Sequence, residues 1–344
     1  MRKNVLRLAL SLTVTLVLLL CLEGGASLWS KWPATGALPP VLEVTHCEYD
    51  PELGWRHCAR KHVPNLYGPG IGITTNSQHL RGTRDHALAD DAGKYRVLCL
   101  GDSFTMGYGV SDGESYPAQL EGLHPGLETI NMGLGGYGID QCWMWYERDG
   151  TKFDVDVLLF AFILGDFYRM NPNGNVANIP KPVLQLVNGD PVAMNVPVAN
   201  ILEVPGFGAR LGKLVQASAL LGLFPKTLAA PAASGEEPFV PISLRIFEIL
   251  RDRSQQRGQK FVLVYLPVLE EIALPRHPTV DDWLVPELGK RGIPMLDLRP
   301  AFRKVPQAEL VEHFTLGHYS KRGNRVAAEA MLAGLRELDP ECPR

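Results

Sequence analysis

From Lys94 onward the chain alternates short apolar runs with amphipathic stretches, and no other feature of the sequence narrows the fold as far. The runs are "YRVLCL", "LETINM", "VDVLLFAFIL", "KFVLVYL" and "IPMLDL". Near-continuous apolar runs of this length suit strands buried on both faces, as in a parallel sheet. Helical periodicity falls around them at roughly 113–123, 139–149, 242–257, 280–291 and 321–337. This alternation predicts a doubly wound α/β fold, a mostly parallel sheet with helices on both faces. Chemistry in such a fold is expected at the carboxyl ends of the strands.

The remaining segments decorate this unit. Arg2, Lys3 and Arg7 precede an uncharged apolar run, Leu8 to Leu22, which reads as an export signal. Gly24-Gly25-Ala26 offers small residues for cleavage. An uncleaved membrane anchor formed by residues 1–29 is the alternative, and a lipoprotein reading through Cys21 is disfavoured by Leu20 where a small residue is needed. Either way the remainder is expected outside the cytoplasm, periplasmic or extracellular. Residues 30–92, rich in Pro, Gly, His and Asn, read as an N-terminal extension, and 93–340 as the main domain. A Pro-, Gly- and Asn-rich segment at about 170–241 interrupts the alternation and reads as an insertion that could cover a substrate. In an oxidising compartment Cys47 and Cys58 are expected to form a disulfide, with two free buried thiols as the other reading. Cys99 and Cys142 lie within apolar segments and read as core residues. A net charge of -3 without a long basic run argues against nucleic acid as a partner. No CxxC or Cys/His spacing suggests a metal, and no cofactor is expected.

Directly after the first apolar run stands "GDSFTMGYGV", which puts Ser103 at a strand's carboxyl end. There a serine can be a nucleophile presented on a tight turn, or simply a helix cap. Asp102 beside it reads as an organiser of that turn. His318, after the last strand and before the last helix, can be a loop histidine or a base reaching Ser103 across the sheet edge. Trp143, Trp145 and Tyr146 read as core packing ahead of a sugar platform.

"LGDSFTMGYGV" resembles the first block of the SGNH/GDSL hydrolases, whose nucleophile is the serine of the Gly-Asp-Ser triplet. "INMGLGGYGIDQ" resembles the second block, and "GHYSKRGNRVAAEAM" the last, in the family's order over about 95–340. The resemblance implies a flavodoxin-like three-layer α/β/α sandwich. It also implies Ser103 and His318 as the catalytic pair, and the Ser103 and Gly136 N–H groups as the oxyanion hole. Two positions depart from the family. "FILGDFYRM" has Gly165 where the family carries an Asn before Asp166, and Thr315, Leu316 and Gly317 fill the places of the orienting acid before His318. Asn171 or Asn173 could supply the missing amide, Glu312 or Asp297 could replace the acid, and Asp166 could support the site or cap the turn after its strand.

The expected function is therefore ester hydrolysis through an acyl-enzyme on Ser103, with a small-molecule or glycan ester as substrate and an acetylated envelope or secreted polysaccharide as the leading case. Acyl transfer to a glycan uses the same residues. The two departures motivate a third reading, a degenerate binding or assembly protein without turnover.

Overall fold

Five strands form the sheet that the apolar runs predict: β1 (Tyr95–Gly101), β2 (Leu127–Gly133), β3 (Val157–Phe162), β4 (Lys260–Tyr265) and β5 (Met295–Asp297). The computed structural model describes residues 7, 11, 13–15, 17–19, 22, 45–89, 93–171, 179–200, 239–273 and 283–344. The order across the sheet is β5-β4-β3-β1-β2, and every pairing is parallel. This is the flavodoxin-like order, in which connections leave β1 toward one edge and β3 toward the other. Such a reversal opens a crevice at the carboxyl ends of the strands on either side of it.

Alternation along the strands divides the core in two. Leu98, Leu100, Ile130, Met132, Leu158, Phe160 and Phe162 face one side, where α3 (Ile139–Arg148), α5 (Phe239–Gln256) and α7 (Leu284–Lys290) pack. Val97, Cys99, Val157, Leu159, Ala161 and Val264 face the other, covered by α2 (Tyr116–Glu121), α8 (Arg299–Arg303) and α9 (Lys321–Leu338). Short helices α1 (Ser103–Met106), α4 (Gly165–Arg169) and α6 (Leu269–Ala273) follow β1, β3 and β4 directly. Phe247 of α5 is fully buried with its ring 5.7 Å from Phe160 and 6.3 Å from Phe167. Truncating such a side chain to Ala costs about 3–5 kcal/mol. Trp145 and Tyr146 are buried in the same cluster and Trp143 packs against it, so the aromatic group on α3 is core.

The chain divides into two units, one of residues 1–41 and 201–231 and one of 42–200 and 232–344. In the first, the described positions, all within 7–22, are helical and exposed. Among the described residues no helix is long and apolar enough to cross a membrane. The small residues at 24–26, Cys21 and most of the insertion expected at 170–241 lie outside the described residues. Of that insertion, a hairpin pairing Leu184–Val187 with Asp190–Ala193 is described, and α5 begins at Phe239, before the expected boundary.

The described part of the extension, 45–89, contains two hairpins, Cys47–Asp50 with Gly54–His57 and His62–Val63 with Ile73–Thr74. Cys47 and Cys58 are not joined by a disulfide, which corrects the expected pairing. The register explains it. Cys47 lies opposite His57, so Cys58, the next residue, points to the other face of the ribbon.

Candidate active site

The nucleophile turn is pressed onto two strand ends. A Cβ on Gly101 would stand 2.1 Å from Thr105 Oγ1 and 2.6 Å from the Ala161 carbonyl oxygen, and one on Gly133 would stand 2.1 Å from the Met106 nitrogen. Close approach of α1, rather than backbone freedom, therefore requires glycine at 101. Asp102 is fully buried and caps α1, its Oδ1 accepting from the Phe104 N–H at 2.8 Å. Asn131 of β2 donates to the Thr105 carbonyl at 3.1 Å and accepts from Gly133 N–H at 2.9 Å, tying α1 to the second strand end.

Arg169 of α4 completes this side. Its guanidinium donates to Asp102 Oδ2 and to Asp166 Oδ1, each at 2.6 Å, and to the Tyr137 carbonyl at 3.3 Å. Asp166 also accepts from Ile163 N–H at 3.0 Å, so it caps the turn after β3. Burial, together with the nearby Asp102 carboxylate, pushes Asp166 well above the usual carboxyl range, against the pull of Arg169. Asp166 thus supports the nucleophile turn through Arg169. Arg169 itself was not legible in advance, because a lone arginine four residues into a helix carries no sequence signal.

Ser103 is 5% exposed, and its Oγ lies 2.7 Å from His318 Nε2 and 3.3 Å from Asp102 Oδ2. The pair is brought together across the carboxyl edge by a two-residue hairpin. Phe314–Thr315 pairs with His318–Tyr319, and Leu316 (φ 50°) and Gly317 (φ 76°) form the turn. Two positive φ values in succession define the type I′ turn that suits a tight hairpin, and leucine is a costly occupant of the first. The turn aims the Leu316 carbonyl at the imidazole, and His318 Nδ1 lies 3.0 Å from it. A carbonyl only accepts, so the proton is on Nδ1 and the Nε2 lone pair faces Ser103. That is the tautomer a general base needs.

Glu312 is ion-paired with Arg322 at the surface, and Asp297 is held by Arg299 Nη2 at 2.8 Å, so neither expected surrogate serves. Both point away because the 3₁₀ turn 310–313 and β5 direct them outward or into their own ion pairs. Two aromatic rings flank the imidazole, Tyr108 at 4.5 Å and Phe104 at 4.6 Å between centroids. Their faces can favour an imidazolium by about 0.5–1 kcal/mol each.

The oxyanion side is built on the loop after β2. Leu134 N–H donates to the Gly101 carbonyl at 3.2 Å, which sets this loop beside the nucleophile turn, and Gly136 takes φ 78° within it. Trp55 Nε1 of the extension donates to the Gly135 carbonyl at 3.1 Å, and the Tyr137 hydroxyl returns a bond to the Trp55 carbonyl. The Ser103 N–H, at the start of its turn, is one of the donors a helix leaves without an internal acceptor. Gly165, immediately before Asp166, offers no side-chain amide. Asn171 donates its own N–H to the Tyr168 carbonyl at 3.0 Å, and Asn173 lies outside the described residues.

The extension grips the other end of α1. Arg81, 4% exposed, donates to the Met106 and Val110 carbonyls at 2.5 and 2.6 Å and bonds Asp112 Oδ1 at 3.3 Å. A segment that reads as a preface is therefore a support for both the nucleophile and the oxyanion loop.

No protein-family model matches the sequence, and no curated protein is significantly similar to it. Solved structures are similar at the level of fold. One is an acetyl-xylooligosaccharide esterase from Geobacillus, 14% identical, covering 73% of this chain and 98% of its own with a TM-score of 0.42. Another is an alpha/beta hydrolase enzyme from the metagenome of Lake Arreo, 15% identical, covering 72% and 98% with a TM-score of 0.43. A third is a member of the lipolytic protein G-D-S-L family from Veillonella parvula, 12% identical, covering 69% and 96% with a TM-score of 0.38.

Proposed function

We propose that the chain is a serine acylhydrolase. One observation carries the reading: Ser103 Oγ stands 2.7 Å from His318 Nε2 while Nδ1 is committed to the Leu316 carbonyl. In the reaction this supports, Oγ attacks the acyl carbonyl carbon as its proton passes to Nε2. The Ser103 and Gly136 N–H groups receive the negative oxygen. The tetrahedral intermediate collapses, Nε2 protonates the leaving alcohol, and the acyl group remains on Oγ. Water then repeats the sequence on the acyl-enzyme and releases the acid.

Short acyl groups are the substrate class we favour, acetyl on an envelope or secreted polysaccharide foremost, with the chain acting outside the cytoplasm. Its support is the apolar leader of the sequence and a nucleophile recessed to 5% exposure, which suits a small acyl group. The reading is tested by mixing the full chain with p-nitrophenyl acetate, quenching in acid and measuring intact mass. Wild type should carry one acetyl group and Ser103→Ala none. A wild type that neither hydrolyses the ester nor carries the group rejects the reading. Acetate released from an acetylated polysaccharide, set against acetyl gained by a deacetylated one, separates hydrolysis from transfer.

A further inference from the structure

Behind the oxyanion loop, the first hairpin of the extension gathers two imidazoles and a thiol that the proposed chemistry does not use. His46 and His57 are both fully buried, with ring centroids 5.3 Å apart, and Cys47 is half-buried beside them. One donor atom from each of the three lies within 4.8 Å of the other two. Cys47 Sγ and His57 Nδ1 are 3.9 Å apart. A tetrahedral zinc ion, with bonds of about 2.3 Å to sulfur and about 2.0 Å to nitrogen, holds its donors about 3.3–3.6 Å apart. The donor separations are thus within about 1.5 Å of that geometry, a shift side-chain rotation can make.

His57 is already oriented as a ligand. Its Nε2 lies 3.2 Å from the Gly133 carbonyl, which can only accept, so Nε2 carries the proton and the Nδ1 lone pair faces Cys47. Metal-bound histidines characteristically donate their second N–H to such a carbonyl.

We propose that His46, Cys47 and His57 bind a zinc ion, with a fourth position left to water. Two imidazoles and one thiolate suit zinc, since soft sulfur and borderline nitrogen donors disfavour magnesium and calcium. Binding releases the Cys47 proton to solvent and forms one Zn–S and two Zn–N bonds. The Cys/His spacing of ordinary zinc motifs is absent because the ligands come from two strands of one ribbon, His46 and Cys47 on one side and His57 on the other. The ion would fasten that ribbon behind Gly133, whose strand leads into the oxyanion loop. The proposal does not depend on the acylhydrolase reading.

Cobalt(II) is the probe, titrated into the full chain purified under a reductant and freed of metal. Wild type should bind one equivalent, with a thiolate-to-cobalt charge-transfer band that zinc abolishes stoichiometrically. Cys47→Ser should lose the band and weaken zinc binding by about 100-fold or more. Cys58→Ser, altering the thiol on the opposite face, should keep both. His46→Ala should weaken binding similarly, and Cys47→Ser, at a half-buried position, keeps the test open if that variant fails to fold. A wild type without the band, a band that survives Cys47→Ser, or one lost in Cys58→Ser overturns the site.

Discussion

The two halves of the catalytic pair are built to different standards. Ser103 sits on a turn wedged against two glycine strand ends, capped by Asp102, tied to Asn131 and braced by Arg169 and the buried Arg81. His318 is oriented by the Leu316 carbonyl on a two-residue turn with leucine in a left-handed conformation. The Leu316 carbonyl fixes the tautomer on the histidine side, and Gly165 stands at the third strand end. Loss of the orienting acid in a serine triad lowers turnover by about 10⁴, largely because the wrong tautomer results. Here the Leu316 carbonyl holds the tautomer that a base needs.

This contrast can be broken from either side. The largest effect is expected from Arg81→Met, which strands the Met106 and Val110 carbonyls beneath the nucleophile turn. Unfolding in urea should show a loss of about 3 kcal/mol. A loss under about 1 kcal/mol would mean that the extension does not brace the turn.

Gly165→Asn supplies the absent donor. Its Cβ would approach the tip of Ile163 to 3.2 Å, a contact a flexible side chain can relieve. We expect kcat to rise by about 10- to 100-fold, since a single oxyanion donor is worth about 10²–10³. Unchanged kcat in a folded variant would locate the bottleneck elsewhere. Thr315 lies directly opposite His318 in the hairpin, so Thr315→Asp places a carboxylate on the imidazole's own face. An increase of about ten-fold in kcat with little change in KM is expected, because the added charge acts only when the imidazolium forms. A fall in kcat would show that the Leu316 carbonyl is the better partner.

The smallest effect concerns docking of the extension. His86 Nδ1 lies 2.8 Å from Glu128 of β2. Burial lowers the His86 pKa, and the contacts of Glu128 with His86 and Arg96 lower that of the carboxyl despite its own burial. Depressed values for both groups give stability that is present above their unfolded pKa values and is lost as pH falls. The histidine contribution should therefore decline as pH drops below about 6.5. Melting temperature should fall between pH 7 and 5, and His86→Gln should flatten that slope. An unchanged slope would remove His86 from the account.

Much of the fold was legible because parallel strands buried on both faces leave unbroken apolar runs. The runs at 95–100, 127–132 and 260–266 match β1, β2 and β4 to within a residue at each end. The meeting of Ser103 and His318 was legible because strand ends and local motifs announce both positions. What escaped was long-range and carried by ordinary residues. Arg81 and Trp55 reach the site from a Pro- and Gly-rich segment without periodicity, and Arg169 acts through carboxylates whose proximity no spacing reveals. The disulfide expected between Cys47 and Cys58 failed on strand register, which sequence separation does not encode. A backbone carbonyl serving as the histidine's partner is invisible in any side-chain pattern.

The central claim is that a carbonyl-held histidine activates Ser103. Labelling with a fluorophosphonate probe, read by intact mass and peptide mapping across pH, tests it most directly. Wild type should take up one equivalent on Ser103, His318→Ala should react at least about 100-fold more slowly, and Ser103→Ala should take up none. A wild type left unlabelled at every pH, or a label that persists in Ser103→Ala, would contradict the account.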